Sequence, residues 1–192
     1  MGGLSSREIA LASVMGGLAI ALSVARIQFP FPVLTYLKFD AAEIPSFAAY
    51  YMSGPVVGYA CAFLHFLGLL VRGSNPFGAS MKLLAVLSTL AGMHLVRGRG
   101  IELEVATGGL SRVVVMTIAN IIFMLFLFPN YLDFAARTFR ALGINVRTEA
   151  ETLIVLLVLT GIFNALHTVF SAGLALALVS AVKKRIPSLM RA

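Results

Sequence analysis

The sequence predicts an all-α integral membrane protein: a single domain, residues 1–192, built as a bundle of six transmembrane helices. Three observations predict it. Hydrophobic residues make up 59% of the 192 and charged residues only 12%, against about 25% charged in soluble domains. The mean hydropathy is +0.95. Apolar runs approach the ~20 residues that cross a bilayer, and they are separated by Gly, Pro and Asn.

Helix 1 is expected over residues 7–27. Arg7, an apolar stretch and "SVA" have the outline of a signal peptide. The spans that follow favour a transmembrane helix instead. A shorter helix 2 is expected over 41–52 and is broken by "SGP". Helix 3 covers 56–71 and stops at "RGSNP", where Gly, Asn and Pro punctuate the chain. Helix 4 covers 77–96 and ends at "RGRG". Helix 5 covers 110–128 and is closed by Pro129. A polar connection carries a short amphipathic piece over 134–142. Helix 6 covers 152–182, roughly 45 Å long at 1.5 Å per residue, so it tilts or projects beyond a core of about 30 Å.

Fifteen Lys+Arg against eight Asp+Glu leave a charge of +7. The basic residues are scattered between apolar runs and cluster only in "KKRIPSLMRA". That pattern points to topology and to membrane lipid headgroups, not to nucleic acid. Six spans put both termini on one side. Arg7, Arg97, Arg99, Arg112, Lys183, Lys184, Arg185 and Arg191 are assigned to it; Arg26, Lys38, Arg72, Arg137, Arg140 and Arg147 are assigned to the other. The bias expects cytoplasmic termini in a multi-pass protein of the plasma membrane. The single cysteine, Cys61, is expected to be a small packed hydrophobe.

The motifs of common enzymes are missing. The chain has no Walker loop, H-E-x-x-H, C-x-x-C or nucleophile elbow. His65, His94 and His167 fall on three helices without a cysteine or carboxylate at ligand spacing, so hydrogen bonds between helices are the expected use, not metal. Asp40 and Glu43 lie where acidic side chains cap the start of helix 2. No catalytic residue and no cofactor are predicted. A membrane-embedded enzyme using His65, His94, Asp40 or Glu43 would lack catalytic spacing; a purely structural subunit stays open as an alternative.

The polar residues inside the spans are more telling. Asn120 lies in helix 5, Asn164 and His167 share a face of helix 6, and Lys82 lies one turn into helix 4. Such residues face a bundle interior or a cavity. Each alone can be interhelical glue; together they fit a cavity for a small molecule with polar edges. On helix 1, Ser13, Gly17, Ala21 and Ala25 recur every fourth residue, with Ala12 and Gly16 beside them. Small residues at this spacing allow close helix approach, within the bundle or to another subunit.

"YLKFDAAEIP" after the first helix resembles the substrate-binding S components of energy-coupling factor (ECF) transporters, most closely their riboflavin-specific group. "MSGPVVGYACAFLH", "GSNPFGASMKLLAVLSTLAG", "VMTIANIIFMLFLFPNY" and "GIFNALHTVFSAGLALALVSAVKKRI" extend the resemblance in order along most of the chain. It implies a vitamin-binding subunit that works with a transmembrane coupling subunit and two cytosolic ATPases. Riboflavin is the implied ligand; another vitamin or a queuosine-type precursor would suit the same family. The implied ligand contacts are Leu37, Lys38, Phe39, Asp40, Lys82, Asn120, Asn164 and His167. His167 stands where a lysine is usual, and Lys82 where an asparagine is commoner. The implied docking face for the coupling subunit is Ala12, Ser13, Gly16, Gly17, Ala21 and Ala25. The loop between helices 1 and 2 is implied to gate the ligand, with Phe29, Phe31, Leu34 and Tyr36 as its apolar cover. Pro30 and Pro32 stiffen that loop. As a surface loop it is expected to add little to stability.

Overall fold

The computed structural model describes residues 4–128 and 130–186; Pro129 and Arg191, which the sequence reading used as a helix stop and a topology charge, lie outside them. Helix α1 (Ser6–Val24) starts at a reciprocal cap: Ser5 Oγ accepts from the Glu8 backbone N–H, and Glu8 accepts from the Ser5 N–H. Two short antiparallel strands follow, β1 (Gln28–Pro30) and β2 (Lys38–Asp40), with Phe29 opposite Phe39. A 3-10 turn (Ala41–Glu43) leads into α2 (Ile44–Ser53). Gly54, at φ +93°, then allows the sharp reversal into α3 (Pro55–Val71). Asn75 caps α4 (Pro76–Leu95), its Oδ1 accepting from Phe77 N–H at 2.9 Å. Helix α5 (Ile101–Ile122) runs on through a π turn (Phe123–Leu127). Helices α6 (Asn130–Ala141) and α7 (Glu149–Arg185) complete the chain, α7 capped by Thr148.

Among the described residues, four helices are long and apolar enough to cross a membrane: α1, α4, α5 with its π turn, and α7; α3 is apolar but shorter. Helix α1 packs on α3, α5 packs between α4 and α7, and α2 lies against α3 and α7. The buried core has two parts. One gathers Phe47, Tyr50, Leu90 and Met93; the other gathers Phe31, Leu34, Phe139 and Leu156 where the hairpin, α6 and α7 meet.

Two expectations are corrected here. Helix α5 begins at Ile101, not near residue 110. Gly92 and Gly108 are the reason: a Cβ on Gly92 would lie 2.6 Å from the Thr107 carbonyl, and one on Gly108 3.0 Å from the Thr89 carbonyl. These glycines seat α4 against α5 instead of breaking the chain, and Arg112 becomes a mid-helix residue that is 2% exposed. Removing Arg112 from the topology charges leaves seven against six. The segment after α1 is also no loose surface loop. Its ends form the hairpin, Phe31 N–H donates to the Leu37 carbonyl at 2.8 Å, and Phe31 and Leu34 are buried.

Candidate functional site

A cavity of about 460 Å³ opens between the hairpin, the 3-10 turn and helices α4 to α7. Three of these helices, α4, α5 and α7, contribute a stripe each. On α5, Arg112, Met116 and Asn120 are spaced by four residues; on α7, Thr160, Phe163, Asn164 and His167 share a face; on α4, Phe77, Met81, Lys82 and Ala85 do so. The π turn sets one wall. Its closing bond, Phe128 N–H to the Phe123 carbonyl at 2.8 Å, carries Phe123 into a stack on Phe77, with ring centroids 4.6 Å apart. Tyr36 and Tyr131 meet edge to face at the rim. Burial, with the Tyr36 hydroxyl beside it, pushes the Tyr131 phenol up, so it stays a neutral hydrogen-bonding group.

The floor is a closed polar network. Arg112 Nη1 donates to Glu43 Oε2 at 2.7 Å and Nη2 to Oε1 at 3.2 Å, both side chains being 2% exposed. Arg112 Nε donates to Asn164 Oδ1 at 2.9 Å, and Nη2 lies 3.1 Å from His167 Nδ1. Asn164 Nδ2 donates to the Thr160 carbonyl at 2.9 Å. The Asp40 backbone N lies 3.2 Å from His167 Nε2, while the Asp40 carboxylate pairs with Lys82 and accepts from Ala42 N–H. Each buried charge thus has an opposite charge against it, the arrangement under which ionised groups persist in a low-dielectric interior. Asn120 differs: among the described residues its carboxamide has no hydrogen-bond partner.

Of the residues singled out as ligand contacts, Leu37, Lys38, Asp40, Lys82, Asn120, Asn164 and His167 line the cavity. Phe39 does not. Its ring is taken up by Phe29, Phe163 and His167, with centroids 5.3, 5.0 and 5.6 Å away. Of the supposed cover, Tyr36 lines the cavity, whereas Phe31 and Leu34 are core residues and Phe29 is half-exposed against Phe39 and Phe170. The capping assignment holds for Asp40 and fails for Glu43, whose carboxylate goes to Arg112. His65 bonds Ser23 at 2.8 Å across α1 and α3, and His94 is exposed near the end of α4. Cys61 is buried and free. No group of three His, Cys, Asp or Glu side chains suited to a metal occurs among the described residues.

On α1 the small residues divide. Ala12 and Gly16 are buried, and a Cβ on Gly16 would lie 2.8 Å from Leu64 Cβ, so packing on α3 takes them out of any docking face. Ser13, Gly17, Ala21 and Ala25 are exposed, with nothing within 4 Å of where a Gly17 Cβ would sit. Among the polar cavity residues, the sequence reading missed Arg112, Glu43, Tyr131 and Thr160. Arg112 carried a usable signal, since a lone ionisable residue amid apolar neighbours is functional by default.

The profile of the family described as "ECF transporter, substrate-specific component" matches residues 7–179. The fold is similar to a solved structure described as "Structure and mechanism of the S component of a bacterial ECF transporter". The TM-score is 0.66 at 22% identity, over 93% of this chain and 96% of that one. No curated protein sequence matches the chain.

Proposed function

The chain belongs to the substrate-specific components of ECF transporters, which are transport subunits and not enzymes, and from that premise we propose that its cavity captures riboflavin. The observation that carries the proposal is the free Asn120 carboxamide inside an aromatic-walled space. A tricyclic ring needs apolar walls, and its carbonyls and ring N–H need a group that both donates and accepts. A volume of about 460 Å³ lies in the range of small-molecule sites. Riboflavin is neutral, which suits a floor whose charges already pair with one another.

Protein purified from riboflavin-fed cells is expected to carry the visible absorption of bound flavin. Asn120→Ala is expected to weaken binding by about 1–3 kcal/mol, the cost of leaving a buried polar group unpaired. Colourless protein that also fails to quench riboflavin fluorescence on titration would overturn the ligand assignment.

The rest of the proposal follows the family. S components work with a coupling subunit and ATPases. For this chain we place a single domain over residues 1–192 in the plasma membrane as six crossings, α2 with its 3-10 turn and α3 adding to the four long helices. The termini are cytoplasmic, supported by Lys183, Lys184 and Arg185 at the end of α7. The hairpin gates the cavity through Tyr36. The exposed strip Ser13, Gly17, Ala21 and Ala25 docks on the coupling subunit. Gly17→Leu is expected to abolish riboflavin uptake by cells while leaving binding by the isolated subunit intact, because bulk there blocks close helix approach without touching a neighbour in this chain. Uptake at the wild-type rate would remove α1 from the docking face.

A further inference from the structure

We infer that Arg112 is the positioning residue of the cavity: it acts on the ligand through Asn164 and His167, which it fixes against Glu43. The inference rests on the riboflavin reading for the identity of the ligand alone.

Three elements converge on one guanidinium. Two N–H groups bind the Glu43 carboxylate from the turn before α2, a third binds Asn164, and a fourth faces His167, both on α7. Arginine suits this task because its donors lie in one plane at fixed angles. Asn164 is held from its other end by the Thr160 carbonyl, so its amide plane cannot rotate without breaking a buried bond. The far nitrogen of His167 lies 3.2 Å from the Asp40 backbone N; a neutral imidazole accepts at one nitrogen only, so Arg112 and the Asp40 N–H compete for that acceptor, and Asp40 is in turn paired with Lys82. The network therefore starts at a residue 2% exposed and ends at a lysine that lines the cavity and whose side chain is 25% exposed.

A clamp needed only for folding could sit anywhere along α5. This one lies on the α5 stripe that faces the cavity, two turns before Asn120. Asn120 shares no partner with it. The reading face thus has a held half, set by Arg112, and a free half, Asn120. Lysine at position 112 would keep the charge beside Glu43, but a single ammonium cannot span Glu43, Asn164 and His167 together.

The test combines a double-mutant cycle with a ligand-free readout. Riboflavin affinity is measured by fluorescence quenching for wild type, Arg112→Lys, Asn164→Ala, Asn120→Ala and their pairs. Arg112→Lys is expected to weaken binding about tenfold, and adding Asn164→Ala should cost little more, because the two changes remove one shared arrangement. Adding Asn120→Ala should multiply the loss in full. Without ligand, the two ring ¹⁵N signals of His167, assigned against His167→Gln, should be well separated in wild type, with Nδ1 the unprotonated nitrogen, and should shift in Arg112→Lys as the Asp40 N–H takes over the acceptor. Losses that multiply for Arg112→Lys and Asn164→Ala, or His167 signals that do not move, would overturn the inference. Should Arg112→Lys fail to fold, Glu43→Leu/Arg112→Met removes both buried charges and undergoes the same measurements; wild-type affinity in that variant would overturn it equally. If wild-type protein does not quench riboflavin, the ligand reading fails, and the His167 signals decide the role of Arg112 by themselves.

Discussion

Glu43→Ala is expected to destabilise the protein by about 3–5 kcal/mol, the cost of breaking a buried ion pair from one side. The carboxylate accepts two bonds from Arg112, and neither side chain is more than 2% exposed. Truncating Glu43 leaves the guanidinium charged, since arginine does not deprotonate in proteins. Its remaining partners, Asn164 and His167, carry no negative charge to balance it. Glu43→Leu/Arg112→Met should recover most of the loss, because an apolar pair of similar volume avoids the desolvation cost of both ions. Thermal unfolding in detergent measures both variants. A melting temperature in Glu43→Ala equal to wild type would mean that Arg112 finds another anion.

Replacing residues 29–34 with a Gly/Ser linker is expected to act on stability and on ligand release together. The stability loss should be at least about 4 kcal/mol, because Phe31 and Leu34 are core residues and each truncation of that kind costs roughly 2–5 kcal/mol. Phe31 packs on Phe39 and Phe163, and Leu34 is 2% exposed. The off-rate of riboflavin should rise far more than the on-rate falls, since cover lost after binding acts on release. Tyr36→Ala separates the two effects. Tyr36 lines the cavity but stays outside the buried core, so its truncation should speed release with little change in melting temperature. Stopped-flow quenching of flavin fluorescence reads the on-rate, and its recovery on displacement reads the off-rate. An off-rate unchanged in Tyr36→Ala would take the gate away from this hairpin.

The helices were legible wherever an apolar run met a backbone constraint. Gly54-Pro55 and Asn75-Pro76 sit at two of the boundaries where the sequence put breaks, and there the local conformation leaves little choice. Helix α5 was not legible at its start, because Gly108 and Gly109 amid Thr107 and Ser111 read as a loop. Their use is close packing, and what they pack against lies on other helices. The hairpin escaped notice because strands of three residues carry no usable alternation. Within the site, Asn164 and His167 could be placed on one face from spacing alone. Arg112 could not be placed in the same way. Its counter-charge, Glu43, lies 69 positions away, and a local reading gives that residue a sufficient role as a helix cap. A pair whose halves each have an ordinary explanation is recognised only when the fold brings them together.

The unequal helix lengths bear on the surrounding lipid. On one flank α1 has 19 residues and α3 has 17, roughly 28 Å and 25 Å of helix; on the other, α5 with its π turn has 27 and α7 has 37, roughly 40 Å and 55 Å. A bilayer core of about 30 Å nearly matches α1 and exceeds α3 by roughly 5 Å, so in the six-crossing arrangement it would thin along α3, at a cost of fractions of a kcal/mol per Å of mismatch. The exposed small residues of α1 lie on that same flank. Lipid beside α3 would then be deformed, and a protein surface that displaced it would let it relax into the bulk membrane. Elastic energy stored in the bilayer thus adds to whatever attraction α1 itself supplies, and it does so most strongly in membranes of long acyl chains.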